Sequence, residues 1–170
     1  MKETNAHRLT RNALLTAAAL IIFVVEAQIP ALVPIPGVKL GLANIITVYA
    51  MFACGPLDAF AILLCRIVLG SIFAGQMMSF LYSFCGGMFC YLIMLLMRKL
   101  VNEQQIWVCS VIGAVFHNIG QITAAVCITQ TPAIVSYLPV LLISGIISGT
   151  FTGLCAQLVV RRFSGIHIHR

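Results

Sequence analysis

An all-α bundle of six transmembrane helices, a single domain over residues 1–170 with both termini cytoplasmic, is the fold this sequence predicts. Three observations carry that prediction. Of the 170 residues, 61% are hydrophobic and only 8% are charged, against about 25% charged in a soluble domain. The apolar runs are continuous rather than alternating, which suits helices and not a barrel. The cationic residues sit at the ends of those runs: Lys2, Arg8 and Arg11 before the first, Arg98 and Lys99 after the fourth, Arg161, Arg162 and Arg170 after the last. That is the arrangement of basic cytoplasmic flanks.

Each element follows from its punctuation. Residues 1–9 form a polar cytoplasmic tail, and a first span covers 10–29, about the 20 residues a bilayer requires. Its basic start resembles a signal peptide. No small-residue cleavage site precedes its prolines and more spans follow, so it reads as retained. Pro30, Pro34 and Pro36 stop the helix, and residues 30–39 make an outer Pro/Gly loop, in which Gly37 is followed by Lys39. The second span is 40–54, ended by Gly55-Pro56, a helix stop followed by a new start. The third covers 57–74 and the fourth 77–97. A polar stretch at 100–105 precedes the fifth, 106–129, and Pro132 opens the sixth, 133–160, before a cytoplasmic tail at 161–170. Six crossings place eight of the ten Lys and Arg on cytoplasmic segments, the exceptions being Lys39 and Arg66.

Several function classes are excluded or disfavoured. The net charge of +6 reflects topology, since no basic stripe interleaved with aromatics exists to bind nucleic acid. Seven cysteines without a CxxC pair read as reduced, small apolar residues, and neither a metal site nor a cofactor is expected. The His167-x-His169 step has no companion ligands and reads as a chain end. No phosphate loop, HExxH or GxSxG is present. Asp58 is the only aspartate, so the aspartate-rich magnesium motif of prenyl diphosphate chemistry cannot form. A non-catalytic protein is expected.

The informative residues are polar groups that are expensive to place in a membrane. An ionisable side chain at mid-bilayer costs at least ~2.5 kcal/mol, so an unexplained one suggests function. With a rise of about 1.5 Å per residue, Glu26 lies ~22 Å along span one, Arg66 ~14 Å into span three, and His117 and Gln121 ~17 and ~22 Å into span five. Lys39 and Asn44 arrive from the outer loop and the start of span two. Together with Asn118, these residues are expected to meet on the exterior side and hold a small molecule, Lys39 and Arg66 facing an anionic group. A purely structural network, with Arg66 paired to Glu26, is the competing reading. Asp58 is expected at the cytoplasmic surface, capping span three. Gly145, Gly149 and Gly153 form a ridge for close helix packing, and Ala13 and Ala17 an AxxxA step.

PIPGVKLGLANI at 34–45, Gly55-Pro56, the Arg66-x-x-x-Gly70 step and HNIGQ at 117–121 resemble the Gx transporter family, whose members are often labelled heptaprenyl diphosphate synthase component I. More distantly the layout is similar to the substrate-binding S components of energy-coupling factor (ECF) vitamin transporters. That second resemblance implies an outward-facing pocket and coupling and ATPase subunits as partners. It also implies that Ala13 and Ala17 dock the coupling subunit, and that Lys39, Asn44, His117, Asn118 and Gln121 line or cover the site. The expected function is a cell-membrane binding and translocation subunit for a small anionic or amphipathic molecule. The alternatives are a membrane partner in prenyl diphosphate or menaquinone synthesis, or a scaffold in flavin- or quinone-linked electron transfer.

Overall fold

The computed structural model describes residues 5–28, 41–75 and 77–167. Every regular element among them is helical: α1 (Asn5–Ala27), α2 (Asn44–Ala53), α3 (Pro56–Ala74), α4 (Met77–Met97), α5 (Ile106–Thr129) and α6 (Leu138–His167). Tight 3₁₀ turns at Glu103–Gln105 and Pro132–Tyr137 lead into α5 and α6. Five of the six helices are long and apolar enough to cross a membrane. The lipid-facing side is apolar, with Leu14, Ile21, Ile72, Ile147, Phe151 and Leu158 all exposed. This is a polytopic membrane bundle. Helix α1 takes in part of the segment read as a polar tail, and α6 runs on past Arg161 and Arg162. Polar flanks propagate a helix as readily as apolar residues once it is nucleated.

The sixth crossing is unusual. Helix α2 has 10 residues, about 15 Å, roughly half of a ~30 Å hydrocarbon core. It is shorter than the 40–54 span expected from sequence, because residues 41–43 form a turn and Gly55 ends the descent with φ +106. Pro56 then fixes the first turn of α3. The segment nevertheless joins the two faces of the bundle. At one end Gly41 bonds to Glu26 on α1, and at the other Asp58 bonds to Arg8, Arg11 and Asn12 on α1. From Arg11 to Glu26 α1 rises about 22 Å, so residues 41–58 descend that distance. A short helix suffices because α2 packs against all five other helices. Its turns therefore lie against protein rather than lipid.

Asp58 does not cap α3. It ties α3 to α1: its Oδ1 accepts from Arg8 Nε at 2.7 Å and Asn12 Nδ2 at 2.9 Å, and its Oδ2 from Arg11 Nη2 at 2.9 Å. Tyr91 Oη donates to the Pro56 carbonyl at 3.1 Å, which brings the end of α4 to the same face. The start of α5 joins the end of α6 where Gln157 Oε1 accepts from Trp107 N at 3.3 Å. That end of the molecule, with Arg8, Arg11, Arg98, Lys99, Arg161 and Arg162, is its basic face.

Two apolar clusters make the core. One joins Val48, Met51, Ile62, Leu63, Met94, Ile106 and Cys109; the other joins Tyr82, Ile122, Ala125 and Leu141. Along α5, His117 to Gln121 falls between them. The glycine ridge of α6 lies on α5, where a Cβ at Gly149 or Gly153 would come within 2.9 and 2.6 Å of the Val111 and Trp107 Cα atoms. Ser110 and Thr152 hydroxyls meet at 3.1 Å across the same seam.

Candidate functional site in the polar cluster away from the basic face

Five helices and one turn build the cluster. Near the end of α1, Glu26 is buried, and its two carboxylate oxygens accept from the backbone N–H groups of Gly41 at 2.5 Å and Ala43 at 3.4 Å. Gly41 has φ +80, a conformation side chains resist. That geometry turns its N–H onto Glu26 and its carbonyl onto Asn44 N at 2.9 Å. Asn44 opens α2, and its Oδ1 accepts from Arg66 Nη2 of α3 at 3.2 Å. Arg66 is only 5% exposed. Glu26 is the carboxylate whose charge acts on it.

His117 completes the group from α5. Its ring lies between two glycines from different elements. A Cβ at Gly41 would reach within 3.4 Å of His117 Nε2, and one at Gly86 of α4 within 3.0 Å of His117 Cε1. The same Cβ at Gly86 would lie 2.8 Å from Gln121 Cγ. The two glycines thus make the space that His117 and Gln121 fill. His117 and Gln121, one turn apart, present one face of α5 to α4.

What distinguishes the cluster is what it leaves undone. Arg66 Nε, Gln121 Oε1 and Thr47 Oγ1 are buried without a hydrogen-bond partner, and His117 Nδ1 has none in good geometry although the imidazole lies against Gly86. Each unsatisfied buried polar group costs about 1–3 kcal/mol, and more for a charged one. Four of them gather on α2, α3 and α5, although Asn12 Oδ1 beside Asp58 and Asn118 Oδ1 toward α6 also lack a partner. A ligand with an anionic or acceptor group for Arg66 and His117, and a donor for Gln121, would satisfy them.

The structure thus brings Glu26, Asn44, Arg66, His117 and Gln121 into one neighbourhood. Asn118 points elsewhere. Its Nδ2 donates to the Leu141 carbonyl of α6 at 2.6 Å, and its amide occupies the space a Cβ at Gly145 would need. It joins α5 to α6. Lys39 and the 30–39 loop lie outside the described residues, as do the side chains of His167 and His169. Ala13 and Ala17 are exposed on α1, beside Leu14 and Ile21. Among the described residues no three His, Cys, Asp or Glu side chains gather as a metal site. Sequence reasoning missed two members, Thr47 and Gly86, while the backbone freedom expected of Gly41 is used at φ +80. Thr47 follows Asn44 by three residues and so shares its helix face, a signal that was readable. The role of Gly86 depends on which helix faces which, and no local signal carries that.

The family model for heptaprenyl diphosphate synthase component I matches residues 15–159. The chain belongs to this family. No curated protein and no solved structure matches it significantly. The component I match takes in every residue of the polar cluster, together with Asp58 and the glycine ridge. Arg8, Arg11 and Arg161 lie outside it.

Proposed function

We propose that this component I family member is a membrane-embedded binding subunit, similar in role to an S component, that receives a small anionic or amphipathic molecule from the exterior. It would hand that molecule across the cell membrane with separate coupling and ATPase subunits. The observation that supports the reading is the buried Arg66 with Nε unpartnered, in one cluster with the unpartnered Gln121 Oε1. A guanidinium with a free edge in a membrane is stabilised when an anionic acceptor occupies that edge. The chain's own task is binding and orientation, with no chemical step assigned to it. The exposed Ala13 and Ala17 give α1 a flat strip on which a coupling helix could pack closely.

A second reading is favoured by the family description itself: a membrane partner of a soluble prenyl diphosphate synthase component. Affinity purification of the intact chain from its native membrane separates the two. The carrier reading predicts ATPase and coupling subunits among the bound proteins, lost on Ala13→Trp with Ala17→Trp. Recovery of a soluble prenyl diphosphate synthase instead, with the alanine changes having no effect, would move the assignment to the second reading.

A further inference from the structure

A separate feature lies at the basic face. The turn between α4 and α5 contributes Asn102, Gln104 and Gln105, and α6 contributes Arg161, to a cavity of about 520 Å³. We infer that this cup holds the phosphate of an anionic phospholipid of the leaflet at the basic face. Its chemistry is a guanidinium and three amides, all able to donate to phosphate oxygens. Its placement is set by packing. Gln157 Oε1 bonds Trp107 N at 3.3 Å, and Val160 and Ala156 are buried in the same cluster as Ile106. One turn beyond Gln157, Arg161 is therefore held against the 102–105 turn.

Arg161 is also uncommitted. Among the described residues it makes no ion pair, whereas Arg8 and Arg11 on the same face are bound to Asp58. Leu158, one turn before Arg161 on α6, and Leu100, two residues before Asn102, are apolar and 67% and 77% exposed. Trp107, 39% exposed, lies at the start of α5 next to the 102–105 turn, and indoles collect at membrane interfaces. A polar cup with an apolar wall matches a headgroup with its acyl chains, and basic pockets between helices on the cytoplasmic side are known to take such lipids. A soluble phosphate would use the cup and leave the wall bare.

The test is native mass spectrometry of the intact chain in detergent, with dioleoyl phosphatidylglycerol or dioleoyl phosphatidylcholine added. Phosphatidylglycerol should be retained preferentially, and Arg161→Gln should weaken its retention about fivefold. Arg162→Gln, the same loss of charge outside the cup, should change it little. Should Arg161→Gln fail to give monodisperse protein, Gln104→Leu with Gln105→Leu decides, and should also release the lipid. Equal losses from Arg161→Gln and Arg162→Gln, or equal retention of the choline lipid, would show only diffuse attraction and overturn the site. Displacement of the lipid by millimolar glycerol phosphate would assign the cup to soluble phosphates and overturn the lipid.

Discussion

Two regions of this bundle bury charge, and they do it in opposite ways. At the basic face Asp58 is saturated: two arginines and an asparagine from α1 fill its oxygens, and both cations still reach water, with side chains 48% and 28% exposed. In the other cluster Arg66 is almost wholly buried, holds one hydrogen bond to Asn44, and stands among groups with no partner. The first arrangement fastens α1 to α3. The second keeps polar atoms in a membrane interior without completing them, which costs stability unless something else is bound there. Asn12 Oδ1 beside Asp58 is also buried without a hydrogen-bond partner, so what separates the fastening from the candidate site is burial of the cation: Arg8 and Arg11 reach water and Arg66 does not.

That contrast is sharpened most by Arg66→Gln. Glutamine keeps a donor for Asn44 and removes the charge, so ligand retention should fall at least about 30-fold. Thermal stability in detergent should fall as well, by about 3 kcal/mol, because buried Glu26 loses the cation its charge acts on. A large loss of stability with binding intact would make the cluster a structural network. A different outcome is expected of Asp58→Asn: a loss of about 2 kcal/mol, limited by the exposure of Arg8 and Arg11, with unchanged ligand retention per folded molecule.

Gly86→Ala probes the space rather than the charge. Its Cβ would sit 2.9 Å from the His117 carbonyl oxygen, a backbone atom that cannot swing aside. The expected result is a loss of about 1–2 kcal/mol of stability, together with weakened binding through the displaced His117 ring. Thermal melts and ligand retention on one preparation check both. Ser110→Ala, on the α5–α6 seam, should cost only about 0.6 kcal/mol, the usual worth of a hydrogen bond between membrane helices. A larger effect would mean that the α5–α6 seam depends on that bond rather than on its glycines.

How much of this could be read from the residues varies with the type of signal. Helix number and the basic face were legible, because hydropathy and flanking cations act locally. The shortness of α2 was not. Residues 40–54 are apolar enough for a span, and only the packing of five neighbours around α2 lets so short a helix cross. The cost of burying Arg66, Glu26 and His117 pointed to the polar cluster. Helix rotation decided its membership: Asn118, next to His117 in sequence, turns to α6, while Gly86 enters from α4. Asp58 read as a cap because an acidic residue in a first turn usually is one, and its real partners lie some 50 residues away in the chain.

The most direct measurement is denaturing extraction followed by mass spectrometry of whatever small molecule leaves the purified protein, comparing wild type with Asp58→Asn and Arg66→Gln. Wild type and Asp58→Asn should both release one compound in near-stoichiometric amount, bearing an acidic or strongly accepting group, and Arg66→Gln should release none. A wild-type preparation that carries nothing, or an Arg66→Gln preparation that carries the same compound at the same level, would contradict the claim that this incomplete cluster is a binding site.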